Sequence, residues 1–269
     1  MKLNKRSVAF GVALALAGVT AAQADTFVNG DFETGTTAGW TIGGGYRASV
    51  NNAVLNPSLI LPGGALYNST IANTHSAVVA AGTVDPNVGA AFGSTVYGGN
   101  YSLRVEDTTY GGYASVATQT VNNYTDPSIF FAWKAVLLGA HGTLDAATLI
   151  IKLTDLTTNT TLITRQYNAA DDGSGVDPRF SYLNNNYYTA AWQIEQLNID
   201  ASLAGHNFLL SVLASDCQPT GHWGYVYLDG FGNVAPPPTG VPEPGTLSLV
   251  SLGLLATAGA AARRRRQKV

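Results

Sequence analysis

The chain of 269 residues holds a single cysteine, Cys217, so no disulfide can form within it. A fold of this size must therefore be held by its core and its hydrogen bonds. Charge is scarce as well, at 12% of residues, and basic charge is scarcest where it would matter most. Between residues 25 and 235 only Arg47, Arg104, Lys134, Lys152, Arg165 and Arg179 are basic, against sixteen acidic residues. A body with that excess of negative charge repels phosphate backbones, which argues against nucleic-acid binding. Histidine is limited to His75, His141, His206 and His222, scattered with no metal-ligand spacing. No Gly-x-Ser-x-Gly elbow, zinc-binding helix or phosphate loop is present. Asp171 to Asp177 fails as an EF-hand loop, because Arg179 falls where a bidentate glutamate is required. Long amphipathic helical patterns are scarce too.

What is present is strand-like. Short runs rich in β-branched and aromatic residues, separated by Gly, Asn and Thr, point to an all-β sandwich or barrel. Residues 101–105, 114–121, 129–138, 148–156, 161–167, 208–214 and 225–228 are the expected strands, with a hairpin turn at 157–160. Residues 192–199 also alternate, with a less clear core face. Gly43-Gly44-Gly45 and Gly98-Gly99 read as turns. Residues 51–96 carry no legible pattern. Trp40 and Trp133 sit in strand-like contexts and are expected in the core. A free thiol such as Cys217 is expected to be buried.

Both ends differ from this body. Lys2, Lys5 and Arg6 precede an apolar run from Val8 to Val19, followed by Ala22-Gln23-Ala24. That is the layout of a secretory signal, with cleavage expected between Ala24 and Asp25. It implies export through the Sec machinery. At the other end a Pro-rich linker, 236–240, leads to Pro242-Glu243-Pro244. An uncharged segment over 246–262 follows, then four arginines, Arg263 to Arg266. The segment is long enough for one transmembrane helix, and the arginines would hold its end in the cytoplasm.

The order of Pro242-Glu243-Pro244, apolar span and arginine cluster resembles the PEP-CTERM sorting signal of Gram-negative, polysaccharide-producing bacteria. The resemblance implies processing by an exosortase, a membrane-embedded cysteine protease or transpeptidase. The precursor would be anchored in the inner membrane, and the processed protein would reach the cell surface or extracellular matrix. The organisation expected is thus a signal peptide at 1–24, one β-domain at 25–235, a linker at 236–240 and a sorting segment at 241–269.

A second resemblance covers most of residues 27–234. Val28-Asn29-Gly30-Asp31-Phe32-Glu33-Thr34-Gly35 with Gly39-Trp40 resembles the opening of jelly-roll carbohydrate-binding modules of the galactose-binding-like kind. The strands at 101–105 and 116–121 and the ending Tyr227-Leu228-Asp229 follow in the matching order. The resemblance implies a jelly-roll β-sandwich in which Glu33 and Asp229 hold a structural Ca²⁺. An alternative reading leaves both as ordinary turn carboxylates, since two carboxylates alone do not fill the shell of six to eight oxygens that Ca²⁺ takes.

Tyr182, Tyr187, Tyr188 and Trp192 cluster in a polar, Asn-rich stretch and are the candidate sugar-stacking residues, with packing as the alternative role. Asp216 to Tyr225 resembles a stretch that recurs near the end of bacterial surface-protein β-domains. Within it, His222 is a ligand, a base or a hydrogen-bonded turn residue. The function expected is that of a non-catalytic binding or structural module associated with exopolysaccharide. The alternative is a secreted glycoside hydrolase using paired acids, although no pair stands out in the sequence.

Overall fold

In the computed structural model, residues 27–47, 50–170 and 176–233 are described. The signal sequence with Ala24 and Asp25, and the tail with Pro242, Glu243, Pro244 and the 246–262 span, lie outside them. Among the described residues no helix is long and apolar enough to cross a membrane.

Among the described residues twelve strands form where side chains alternate between two faces. In chain order they are β1 (Thr41–Tyr46), β2 (Ala77–Ala80), β3 (Tyr101–Val105), β4 (Tyr113–Tyr124), β5 (Ser128–Leu138) and β6 (Thr148–Asp155). There follow β7 (Thr160–Asn168), β8 (Phe180–Leu183), β9 (Asn186–Thr189), β10 (Gln193–Asn198), β11 (His206–Ser215) and β12 (Gly224–Gly232). One short helix, α1 (Ser69–His75), lies between β1 and β2. Asn68 caps it, accepting from the backbone N–H groups of Thr70 and Ile71.

The strands make two antiparallel sheets. The first has the order β1-β4-β11-β6-β7. The second runs β2-β3-β12-β5-β9-β8, with β10 also paired to β5. Strand β5 is long enough to take two partners on one edge: β10 along residues 128–133 and β9 along 136–138. The all-β sandwich expected from the sequence is thus the fold.

Its core is set by the period of two. Val121, Leu149, Ile151, Leu153, Phe208, Leu210 and Val212 from the first sheet meet Leu103, Ile129, Phe131, Trp133, Leu137, Val226 and Leu228 from the second. Trp133 is fully buried and Trp40 nearly so.

The outer faces are covered too. Ala114, Val116, Ile150 and Leu213, on the outside of the first sheet, pack under Leu55 and Ile60. Val136, Tyr188, Tyr225 and Tyr227, on the outside of the second, pack under Val88 and Phe92. The segment 51–96, illegible as strands, therefore serves largely as cover for both sheets. Burial on both faces is why the β5 run is apolar without interruption rather than alternating.

The glycine triplet corrects the expectation of a turn. Gly43, Gly44 and Gly45 lie inside β1, paired with Val116, Ser115 and Ala114. The cover lies directly on them. A Cβ on Gly43 would sit 2.4 Å from the Ile60 carbonyl oxygen, and one on Gly45 would sit 2.0 Å from that of Leu66. The missing side chains let a backbone approach the strand, a strand use of glycine rather than a turn use.

Gly45→Ala is expected to push Leu66 off the sheet. Overpacking costs about 1–3 kcal/mol, and at about 2–4 °C per kcal/mol for a domain of this size the melting temperature should fall by roughly 2–12 °C. Gly232→Ala, with nothing within 4 Å of the added Cβ, should leave it unchanged. Equal melting curves for the two variants would show that the cover does not bear on β1.

Candidate functional site

A cleft lies where the end of β5, the β8–β9 hairpin and the β11–β12 connection meet. It is an open cleft of about 810 Å³, lined by aromatic, amide and imidazole side chains. Leu138 to Gly142 supply one wall, Tyr182 and Asn184 to Tyr187 a second, and Gly221 to Trp223 a third. Pro86 and Asn87 reach it from the cover of the second sheet, Tyr110 from the loop between β3 and β4, and Ala169 and Ala170 from the end of β7.

The β8–β9 hairpin turns through Asn184 and Asn185, both with positive φ (50° and 66°). A two-residue turn with both central residues left-handed fits the twist of antiparallel strands, and asparagine tolerates it. The turn places Tyr182 opposite Tyr187, their ring centroids 4.9 Å apart. Across the cleft Tyr110 stacks on Trp223 at 4.8 Å and 27°. Tyr110 and Tyr182 are each 60% exposed. Such rings offer flat apolar faces to a ligand beside polar groups that orient it. The polar groups are amides: Trp223 Nε1 donates to Asn186 Oδ1 at 2.9 Å, the Tyr182 hydroxyl pairs with Asn185 Oδ1, and Asn87 Nδ2 donates to the Thr108 carbonyl. Among the described residues the lining carries no Asp, Glu, Lys or Arg.

The loops that form the walls are fixed from behind by Arg47, which is wholly buried. Its guanidinium donates to Ser215 Oγ (2.9 Å), the Asp216 carbonyl (2.6 Å) and Asn52 Oδ1 (2.7 Å). Asn52 in turn donates to the carbonyls of Thr143 and Ala146. This network ties the loop after β5 to the end of β11. Burial pulls the Arg47 pKa down to about 10, partly offset by Cys217 and Asp216.

Of the aromatic residues expected to stack on sugar, Tyr182 and Tyr187 line the cleft, while Tyr188 and Trp192 lie elsewhere. Tyr188 points to the opposite face of β9 and is buried against Phe92, Tyr225 and Tyr227. Trp192 packs edge-on to Tyr97 and donates to the Ser94 carbonyl. Tyr110, Trp223 and His141 were not legible as site residues. Trp223 sits in the singled-out 216–225 stretch, but nothing local marks Tyr110 or His141.

Glu33 and Asp229 flank one loop, 97–101, away from the cleft lining. Glu33 Oε1 accepts from the N–H groups of Asn100 (2.7 Å) and Tyr101 (3.0 Å), and Oε2 accepts from Asn100 Nδ2. Asp229 Oδ2 accepts from the N–H groups of Tyr97 (2.8 Å) and Gly98 (3.1 Å). The loop thus joins the first segment of the domain to the last through hydrogen bonds. Backbone and side-chain amides thus bind one oxygen of Asp229 and both of Glu33.

His141 converges at the wall of the cleft with Cys217 and His222, which lie about eighty residues further along the chain. A ligand atom from each lies within 4.8 Å of the others. A second convergence, His75 with Glu106 and Asp107, lies beneath α1. His75 Nδ1 sits 2.5 Å from Glu106 Oε1. Burial works against the charged imidazole, but the bond to Glu106 and the nearby carboxylates outweigh it and raise the His75 pKa.

Residues 240–266 match the PEP-CTERM protein-sorting motif. A motif of that kind implies an exported, exosortase-processed protein. No curated protein sequence matches the chain. Among solved structures the chain is similar to TmCBM61 in complex with beta-1,4-galactotriose, at 12% identity over 77% of this chain and 96% of that one, with a TM-score of 0.36. It is also similar to CBM28, a carbohydrate-binding module specific for non-crystalline cellulose, at 12% identity over 76% and 93%, with a TM-score of 0.36. A third is Caldicellulosiruptor saccharolyticus CBM27-1 in complex with mannohexaose, at 11% identity over 78% and 96%, with a TM-score of 0.33.

Two buried carboxyls give the domain a pH dependence. Burial lifts Asp229 to about 7, and the charge of Glu33 adds to the rise. Burial lifts Asp216 to about 9, with Glu106 adding to it. Each group keeps its proton when folded over a range in which the unfolded chain has released it. Its contribution is full below about pH 4 and is lost as pH rises, through about 7 for Asp229 and about 9 for Asp216. In chelator, the melting temperature should therefore fall from pH 5 to pH 8. Asp229→Asn keeps an oxygen for Tyr97 and Gly98 and should flatten the fall. An unchanged slope in that variant would show that Asp229 titrates normally.

Proposed function

We propose that this is an exported, exosortase-processed protein of the envelope or extracellular matrix whose β-sandwich binds polysaccharide in the cleft. The observation that carries the reading is the pairing of exposed Tyr182 and stacked Tyr110–Trp223 with an amide-rich lining. Neutral sugars are recognised in this way, with ring faces on aromatics and hydroxyls on amides. Aromatic and amide side chains suit the binding of a neutral sugar, whereas hydrolysis would call for two carboxyls about 5–10 Å apart. The sorting motif supports delivery to the polysaccharide-bearing surface, by way of the Sec machinery and a membrane-anchored precursor.

A Ca²⁺ ion shared by Glu33 and Asp229 belongs to this reading. Its support is that both carboxylates flank the same loop and that Glu33 raises the Asp229 pKa, a repulsion that a cation would relieve. Added Ca²⁺ should then raise the melting temperature of the protein at pH 8 but leave that of Asp229→Asn unmoved. An indifferent wild type leaves the amide-bound loop as the whole of the link.

A glycan array of neutral and acidic oligosaccharides tests the cleft. Tyr182→Ala and Tyr110→Ala remove exposed rings, so both should keep the wild-type melting temperature. Each should weaken binding to the array's best ligand by about tenfold or more, in line with stacking worth about 1–2 kcal/mol. Binding that survives both changes would place the sugar elsewhere.

The tail makes a separate prediction. In a host with an exosortase, intact mass should show a mature start at Asp25, and the protein should leave the inner membrane. Changing Pro242, Glu243 and Pro244 together to alanine should hold it there. An unaltered distribution would reduce the tail to an ordinary anchor.

A further inference from the structure

We propose that His141, Cys217 and His222 form a Zn²⁺ site at the wall of the cleft. The three come from two loops. His141 follows β5, while Cys217 and His222 open and close the turn between β11 and β12. That turn is tightly built: the Cys217 N–H donates to the His222 carbonyl at 3.1 Å and the Thr220 N–H to the Cys217 carbonyl at 3.2 Å. Thr220 is held at φ 83°, unusual for a β-branched residue. The strained turn brings residues 217 and 222 to the same side. Arg47 holds the backbone next to Cys217, and Asn52 holds the loop that carries His141.

The ligand atoms lie within 4.8 Å of one another. Zinc bonds of about 2.0–2.1 Å to nitrogen and 2.3 Å to sulfur put tetrahedral ligands roughly 3.3–3.7 Å apart. The three atoms are therefore within a small side-chain adjustment of closing on an ion.

An independent sign comes from His222. Its Nδ1 is buried and has no hydrogen-bond partner, an arrangement that costs free energy unless something else satisfies it. The His222 ring packs directly against Gly139, where an added Cβ would lie 2.8 Å from His222 Cδ2. The His141 and His222 rings stand 4.5 Å apart.

The donor set selects the ion. One thiol with two imidazoles suits a borderline-soft metal and does not suit Ca²⁺ or Mg²⁺. Three protein ligands leave a fourth position. Cys217 is buried behind the wall, whereas His141 and His222 line the cleft and His141 is exposed. The open position therefore faces the cleft, where a water or an oxygen of a bound ligand can complete the shell. The metal enters from solvent past His141, and binding releases the thiol proton, so affinity falls in acid. Metal binding needs only these three side chains, so it is tested without a polysaccharide, and its failure would leave the sugar-binding reading standing.

Cobalt(II) reports on such a site, because it takes zinc's geometry and a bound thiolate adds a charge-transfer band. The reduced, metal-free full-length protein should bind one Co²⁺ per chain, with intense visible absorption and a thiolate-to-cobalt band that Zn²⁺ bleaches. Cys217→Ser should abolish the charge-transfer band. His141→Ala, at an exposed position, should keep the fold and weaken Co²⁺ binding by tenfold or more. It therefore carries the test if Cys217→Ser does not fold. The absence of a charge-transfer band overturns the proposal, as does a band that persists in both His141→Ala and His222→Ala. Cobalt absorption lost in His75→Ala but kept in His141→Ala would move the ion beneath α1 and equally overturn it.

Discussion

Both sheets of this sandwich are covered over the middle of their outer faces, while β7, β8 and β10 keep exposed side chains, and this covering is the constraint on which the rest depends. An antiparallel sandwich ordinarily leaves its outer faces to water. Here a segment with little regular structure lies over each. Over the first sheet the contact is steric, a backbone laid on three glycines. Over the second it is polar. Asp85, almost fully buried, accepts from the hydroxyls of Tyr225 and Tyr227 and from the N–H groups of Asn87 and Val88. Lys134 reaches out of β5 to donate to the carbonyls of Phe92 and Ser94, its ammonium over the Phe92 ring. Every one of these groups would be costly to bury alone, and the network satisfies them together. Burial lowers the Lys134 pKa to about 8, with Asp85 opposing the fall.

The cleft follows from this covering. Pro86 and Asn87 reach its rim because Asp85 fixes the start of the second cover, and Asn87 itself donates to the Tyr225 hydroxyl. The other walls are loops at the ends of strands paired to β5, so their spacing is set by the sheet. Arg47 fixes the loop after β5 to the end of β11, and the Trp223–Asn186 hydrogen bond fixes the β11–β12 connection to the hairpin. The stacked aromatics of the cleft thus stand on fixed supports, which lowers the ordering cost of binding.

The sequence announced the strands through their period. All seven strands expected from alternation or apolar runs are present, and 193–198 alternates as β10, with Glu195 facing inward to accept from Trp133 Nε1 and Arg165. The covers stayed hidden because they obey no period; they are chosen by the surface they lie on. The glycine triplet misled because glycine permits both a turn and a close approach, and only the tertiary neighbour decides. The site was half legible. Tyr182 and Tyr187 share a hairpin, so composition could find them. Tyr188 differs from Tyr187 only by the strand's alternation. Tyr110, His141 and Trp223 meet through loops more than thirty residues apart, and no local pattern records that.

The central claim is that the cleft is the polysaccharide site, and the four tryptophan indoles test it in one spectrum. Trp223 borders the cleft, whereas Trp40 and Trp133 are in the core and Trp192 packs on the cover of the second sheet. With the indole N–H resonances assigned, titration with the best glycan from the array should shift that of Trp223 and leave Trp40, Trp133 and Trp192 in place. A saturating ligand that leaves Trp223 unmoved, or that moves Trp192 instead, would contradict the account.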